Sequence, residues 1–140
     1  MKKIILMIAV VSTILFSFTG CTGKNMEEEL QEEGVKYTMY IGLNDKNSYI
    51  QEISTEEAEQ MVTQIALQYV DGFTQTTSKG AYKDEAGVVT YENSLVFSFY
   101  DATEEQMKNI MDDVLEDLNQ NSVLIERENV NYEFYEGGME

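Results

Sequence analysis

Residues 88–100 read Val88-Val-Thr-Tyr-Glu-Asn-Ser-Leu-Val-Phe-Ser-Phe-Tyr100, and this stretch decides the fold. Large apolar side chains alternate with small or polar ones, a period of two that is typical of a β-strand with one buried face. We predict a strand here, the strongest in the chain. Its odd-numbered positions (Tyr91, Leu95, Phe97 and Phe99) are expected to face the core, and its even-numbered positions (Glu92, Ser94, Val96, Ser98 and Tyr100) the opposite side.

Two further extended segments precede this strand. In residues 36–43, Tyr37, Met39 and Ile41 alternate with other side chains, which again predicts a strand with one buried face. Residues 73–81 are rich in threonine and predict a shorter strand. The segment that follows, 83–87, is predicted as a hairpin loop that leads into the strand at 88–100.

The last predicted strand changes phase along its length. Val123 and Ile125 share one parity, whereas Val130, Tyr132 and Phe134 take the other. A β-bulge adds one residue to a strand and shifts the alternation of its side chains. We therefore predict a bulge or tight turn near Glu128-Asn129.

Two helices are predicted from capping boxes that are followed by amphipathic stripes. Ser54 with Glu57, and Thr103 with Gln106, match the S/T-x-x-E/Q pattern that satisfies free amides of a first helical turn. Apolar residues then recur every three or four positions, as expected of helices with one buried side. The stripes comprise Ala58, Met61, Val62, Ile65, Ala66 and Tyr69 in the first helix, and Met107, Ile110, Met111, Val114 and Leu118 in the second.

The predicted order of elements is therefore β-α-β-β-α-β. Two helices of this length cover only one face of a four-stranded antiparallel sheet. We predict an α+β fold of the ferredoxin-like type over residues 36–140, with both helices on one face of the sheet. The other face is expected to stay open.

The N-terminal segment has the features of a secretory signal. Two lysines precede an apolar run over residues 4–18, and the chain's only cysteine is Cys21. The tail Phe18-Thr19-Gly20-Cys21 resembles a bacterial lipobox, in which lipid is attached to the cysteine and the chain is cut just before it. The alternatives are an ordinary secreted protein and a single transmembrane helix, although a span needs roughly 20 residues.

This interpretation divides the chain into three parts. Residues 1–20 are a lipoprotein signal peptide, residues 21–35 an acidic tether that begins at the lipidated Cys21, and residues 36–140 the ferredoxin-like domain. The resemblance to bacterial lipoproteins implies that the lipid on Cys21 carries two or more acyl chains, which are enough for stable anchoring. We therefore expect a membrane-anchored protein on the extracytoplasmic face of the cell membrane. The lipid on Cys21 would be its contact with the membrane.

The charge of the chain excludes several partners. It carries 9 basic and 26 acidic residues, a net charge of −17. Nucleic-acid binding needs Lys and Arg on the phosphates, so we expect no nucleic-acid partner. One explanation of the acidic surface is that it keeps the protein soluble and makes its copies repel one another. The alternative is that it captures divalent cations or cationic partners.

The composition also excludes common catalytic chemistry. Histidine is absent and the only cysteine is expected to carry lipid, which removes imidazole catalysis, Ser–His and Cys–His pairs and zinc sites with nitrogen or sulfur ligands. Residues 44–48 faintly resemble the start of a calcium loop but lack its residue order and its twelfth-position Glu, so we predict a plain turn. We assign no catalytic residue, no metal ligand and no cofactor.

Four residues of the open face are candidates for binding: Tyr40, Glu92, Val96 and Tyr100. A carboxylate such as Glu92 among tyrosines and small residues is suited to ligand binding or proton transfer. The alternative is a solvent-facing cross-strand position. A sheet left half bare commonly pairs with a second copy, and a homodimer of this kind would bury Tyr40, Val96 and Tyr100.

Several short motifs carry a resemblance to a known family. They resemble a family of small secreted or lipid-anchored bacterial proteins that is classed as a domain of unknown function of ferredoxin-like α+β type. The resemblance covers most of residues 37–134 and implies fold and secretion, but no activity or catalytic residue. The motifs are Tyr40-Ile41-Gly42-Leu43, Asp71-Gly72-Phe73-Thr74, Gly80-Ala81-Tyr82, Gly87-Val88 and Glu92-Asn93-Ser94.

Two functional hypotheses from different classes follow. The first is a non-enzymatic, lipid-anchored domain that binds an envelope protein or its own second copy through the open face. The alternative is a small cofactor-free enzyme, similar to small dimeric α/β-barrel proteins, with Glu92 and nearby tyrosines as its acid–base set. The absence of histidine and of a concentrated polar constellation favours the binding hypothesis.

Overall fold

The computed structural model describes residues 32–83 and 86–137. The order β-α-β-β-α-β is confirmed, while residues 1–20, Cys21 and most of the predicted tether lie outside the described residues. The elements are β1 (Glu32–Gly42), α1 (Thr55–Ala66), β2 (Thr74–Lys83), β3 (Val89–Tyr100), α2 (Glu104–Asp117) and β4 (Leu124–Tyr132).

The four strands form one antiparallel sheet in the order β2-β3-β1-β4. β1 and β3 lie at its centre, where Met39 pairs with Phe97 and Tyr40 with Val96. β2 pairs with the outer side of β3, and β4 with the outer side of β1. With two helices this is the ferredoxin-like α+β arrangement that the sequence predicts.

The core lies between the helices and the odd-numbered side chains of the central strands. Burial of one large apolar side chain contributes about 1.5–3 kcal/mol, so this layer is the main source of stability. We call the opposite side of the sheet, formed by the even-numbered residues of the four strands, the open face. The buried set comprises Tyr37, Met39, Ile41, Leu43, Leu95, Phe97 and Phe99 from the sheet and its ends, and Ala58, Val62, Ile65, Ala66, Met107, Ile110, Val114 and Leu118 from the helical segments.

Both predicted helix starts are confirmed. Ser54 Oγ accepts a hydrogen bond from the backbone N–H of Glu57 at 3.1 Å. Thr103 and Gln106 form a complete capping box, because the Gln106 N–H donates to Thr103 Oγ1 at 3.2 Å and the Thr103 N–H donates to Gln106 Oε1 at 2.8 Å. In the described part of the chain, no helix has the length and apolar character that a membrane span requires.

The first strand begins earlier than the sequence predicts. β1 starts at Glu32, within the segment predicted as a tether, and residues 32–35 pair with residues 129–132 of β4. The acidic composition does not oppose this pairing, because the side chain of Glu33 stays exposed to water at the end of the sheet. The backbone of these residues is therefore part of the domain.

The predicted bulge near Glu128-Asn129 is wrong. β4 pairs with β1 without interruption, from Glu32 opposite Tyr132 to Tyr40 opposite Leu124. The change in apolar parity arises because the later apolar residues of β4 lie on the open face. There the ring of Tyr132 lies over Gly34, whose absent side chain would come within 2.6 Å of ring atom Cε1.

The exposure of Tyr91 also differs from the prediction. This residue has the parity of the core residues Leu95 and Phe97, but its side chain is 78% exposed. Its partner on β2, Ala81, is exposed as well. This end of the β2–β3 hairpin is therefore not part of the core.

Candidate functional site

The four residues predicted for binding all lie on the open face, but they do not form one site. Tyr40 and Val96 are direct cross-strand partners near the centre of the sheet. Glu92 and Tyr100 lie on either side of Val96 along β3, and eight residues at about 3.3 Å each separate them by roughly 26 Å. The open face therefore has a centre and two distinct ends.

The centre of the open face consists of uncharged side chains. Thr38 pairs with Ser98 beside the Tyr40–Val96 pair, and we call these four residues the central patch. The Tyr40 hydroxyl donates a hydrogen bond to Glu126 Oε2 at 2.9 Å. This hydrogen bond raises the pKa of Tyr40 above its ordinary value, with smaller contributions from desolvation and the charge of Glu126.

At one end of the face, the carboxylate of Glu92 lies between two glycines. A Cβ added at Gly42 would be 2.6 Å from Glu92 Oε2 and 2.8 Å from its Cδ, so the carboxylate rests against the backbone of β1. On the other side Gly80 is the cross-strand partner of Glu92. We call this arrangement of Gly42, Glu92 and Gly80 the glycine cradle.

A polar pocket of about 180 Å³ adjoins the glycine cradle. Glu92 and Tyr82 line it from the sheet, and Asp45, Tyr49 and Gln120 line it from the loops. A pocket that is lined by both a carboxylate and tyrosine side chains contains groups that can accept and return a proton. The predicted association of Glu92 with tyrosines therefore involves Tyr82 and Tyr49 rather than Tyr40 or Tyr100.

In the turn at residues 44–48, both oxygens of the aspartate carboxylate accept hydrogen bonds from within the chain. Asp45 Oδ1 accepts from the backbone N–H groups of Asn47 at 2.7 Å and Ser48 at 3.0 Å, and Oδ2 accepts from Asn119 Nδ2 at 2.5 Å. These bonds, led by that from Asn119, lower the pKa of Asp45. Within residues 32–83 and 86–137, no three His, Cys, Asp or Glu side chains come together to hold a metal ion.

At the other end of the face, Tyr100 belongs to a row of aromatic rings. Its centroid lies 5.4 Å from that of Tyr132, and the Tyr132 centroid lies 5.6 Å from that of Phe134 in an edge-to-face contact. Gly34 leaves room for the Tyr132 ring on β1. Aromatic side chains from β3, β4 and the segment after β4 thus meet above the sheet.

A cavity of about 520 Å³ adjoins this aromatic row, and we call it the end cavity. Its lining comes from three parts of the chain: residues 70–74, which lead into β2; residues 98–106, from the end of β3 to the first turn of α2; and Phe134 after β4. The residues used below are Asp71, Gly72, Tyr100, Asp101, Gln106 and Phe134.

The structure places the sequence motifs at two separate sites. The motif at residues 71–74 lines the end cavity, whereas Gly42, Gly80 and Glu92, from three other motifs, meet in the glycine cradle. Sequence reasoning noted Phe134 only for its parity in the last strand, and included neither it nor Gly34 among the candidate binding residues. The shared parity of Tyr132 and Phe134 was a usable signal, because it marks aromatic side chains of the open face rather than a bulge.

Solved structures with a similar fold include two of a phage SAM lyase. The structure in complex with S-methyl-5′-thioadenosine has a TM-score of 0.54 and 18% identity, and the match covers 78% of this chain and 95% of that chain. The apo structure has a TM-score of 0.50 and 18% identity, over 77% of this chain and 94% of that chain. CutA from Synechococcus elongatus matches with a TM-score of 0.44 and 13% identity, over 76% and 84%. At 18% identity the likeness to the two phage structures shows the fold alone.

The family of the chain follows from its sequence. Among curated proteins, none matches it. One family profile, described as protein of unknown function (DUF3574), matches residues 36–134. The match spans the motifs of the glycine cradle and of the end cavity, and it agrees with the resemblance to a domain family of unknown function. The chain therefore belongs to the DUF3574 family.

Proposed function

We propose that this protein is a lipid-anchored lipoprotein of the extracytoplasmic membrane face, and that its domain is a non-catalytic binding module. The module binds through the open face of the sheet, and its first partner is a second copy of the chain. The observation that carries the binding proposal is the composition of that face, which has an uncharged centre with charged side chains beside it on β1 and β4.

The distribution of charge supports a protein partner. The central patch is uncharged, whereas Lys36, Glu126 and Glu128 lie beside it, and Lys36 and Glu128 form an ion pair at 3.5 Å. Protein interfaces have cores that are depleted of charge and rims that are polar. For a chain with a net charge of −17, an uncharged surface is also where a second copy meets the least repulsion.

The size of the open face fits a small but stable interface. Four strands about 4.8 Å apart, each about nine residues long at about 3.3 Å per residue, present roughly 600 Å² on each copy. Two copies would bury roughly 1,200 Å², which is the lower end of the range for specific complexes. Pairing through this face would also shield the aromatic side chain of Tyr40.

Sedimentation equilibrium tests the proposal on a soluble form that comprises residues 22–140. A form that starts at residue 22 rather than 36 keeps β1 whole. We expect a dimer for the wild type and a monomer for Tyr40→Glu or Val96→Glu, since each places a carboxylate opposite its counterpart. Glu116→Gln, on the exposed side of α2, should remain dimeric. A wild-type monomer at every concentration contradicts pairing and leaves an envelope protein as the partner to seek.

The glycine cradle supports a second candidate, a small cofactor-free enzyme with Glu92 as its proton-transfer group. The specific observation is a carboxylate held between Gly42 and Gly80, beside a pocket that Tyr82 also lines. Glu92→Gln keeps the shape of this side chain but removes the proton acceptor. It would abolish turnover by such an enzyme and leave dimerisation unchanged, which separates the two functions.

A further inference from the structure

The end cavity lies at the Tyr100 end of the open face, where it shares Ser98 with the central patch but no residue with the glycine cradle. Its volume of about 520 Å³ lies within the roughly 300–1,000 Å³ that is typical of small-molecule sites. It is formed by segments distant in sequence, from the motif at residues 71–74 to Phe134 beyond β4. The fold therefore builds a concave site at the Tyr100 end of the sheet.

The charged residues that line the end cavity favour a positively charged ligand. Asp71 and Asp101 both line it, and among its lining residues in the described chain there is no lysine or arginine. The net charge of −17 adds a negative field at longer range. An anion would be repelled from this site, whereas a cation would be attracted.

Aromatic rings supply the second element of recognition. Tyr100 and Phe134 line the cavity and are 42% and 73% exposed, so their rings are accessible to a ligand. The ring of Tyr132 is in contact with both. A cation within about 6 Å of the face of such a ring is attracted by the ring's quadrupole.

We propose that the end cavity binds a small organic cation of the amine or quaternary-ammonium class. The carboxylates of Asp71 and Asp101 compensate its charge, and the rings of Tyr100 and Phe134 contact its positive group. The amide of Gln106 is committed elsewhere, since its Nε2 donates to the backbone oxygen of Tyr69 at 2.6 Å. Selectivity therefore comes from charge and aromatic contact.

Ligand-observed NMR on the full chain in maltoside micelles tests this proposal. Choline is the probe, and 3,3-dimethylbutan-1-ol, which has the same shape without the charge, is the neutral control. We expect saturable transfer from the protein to the choline methyl groups, with an affinity at least about fivefold higher than for the alcohol. Equal affinity for the two compounds, or no saturable choline signal, overturns the proposal.

Variants locate the binding in the cavity. Asp101→Asn and Phe134→Leu should each weaken choline binding about fivefold, because one removes a charge and the other removes a ring while keeping an apolar side chain. Tyr135→Ala is the matched control, since Tyr135 is 78% exposed and is not among the lining residues. Binding that falls equally with Tyr135→Ala, in variants that keep the wild-type circular dichroism, contradicts this location.

Discussion

The carboxylate of Glu92 rests against the backbone of Gly42, so closely that a Cβ at residue 42 would lie 2.6 Å from Oε2. Gly42 is the last residue of β1 and pairs with Ser94, which makes Glu92 its diagonal neighbour across the sheet. The absence of a side chain at residue 42 therefore leaves the space that the Glu92 carboxylate occupies.

Gly42→Ala should move the Glu92 carboxylate and leave the fold intact. The added methyl group displaces the end of a flexible side chain, so we expect the free energy of unfolding to change by no more than about 1 kcal/mol. The carboxyl carbon of Glu92 should change its NMR chemical shift. Gly80→Ala is the control, since its Cβ would have no atom nearer than 3.5 Å. An unchanged Glu92 signal in Gly42→Ala would contradict the contact.

Cys21→Ser tests the lipid anchor. A serine cannot receive the thioether-linked lipid, so the protein should leave the membrane fraction or persist as an uncleaved precursor, and it should no longer incorporate labelled palmitate. Cell fractionation followed by gel mobility measures both outcomes. Normal processing with unchanged membrane retention counts against lipidation.

The hydrogen bonds to Asp45 predict a pH dependence of stability. Its pKa is lowered from 3.8, chiefly by the hydrogen bond from Asn119, so its contribution is present above pH 3.8 and is lost as pH falls through the lower folded value. Asp45→Asn removes this contribution. Urea unfolding should show a wild-type advantage at neutral pH that shrinks in acid, and an advantage independent of pH would argue against the assignment.

The capping box of α2 predicts that loss of the Thr103 hydroxyl group lowers the stability of the protein. Thr103→Ala leaves the backbone N–H of Gln106 without its acceptor at 3.2 Å, and such changes cost about 1 kcal/mol of stability. Thr103→Ser keeps the acceptor and should unfold close to the wild type. If the alanine and serine variants unfold at the same urea concentration, the cap contributes nothing measurable.

Strict alternation made the sheet predictable. Residues such as Ile41 and Phe97 have the parity and the burial that the sequence indicates, and the same parity places Tyr40 and Val96 on the open face. Periodicity determines the face on which a side chain lies, but a shift of two residues between strands preserves that pattern, so the exact cross-strand partners remain open. The contact of Glu92 with Gly42 depends on those partners, so it could not be predicted.

The aromatic row was missed for a related reason. The sequence shows that Tyr132 and Phe134 share a parity, but only the paired strands show that Gly34 leaves room for the Tyr132 ring to approach Tyr100. The early start of β1 was hidden in the same way. A run of glutamates is typical of a solvated segment, and its pairing depends on the partner strand that β4 provides.

Thiol cross-linking at residue 96 in intact cells tests most directly whether two copies meet through the open face. Cys21 is expected to carry lipid, so Val96→Cys introduces the only free thiol. Sheets packed face to face lie about 10 Å apart, which is too far for a disulfide, so the reagent is a bismaleimide that reaches across this gap. With this reagent, Val96→Cys should give a band at twice the monomer mass, whereas Glu116→Cys should not. No such band for Val96→Cys, or an equal band for Glu116→Cys, would contradict the account.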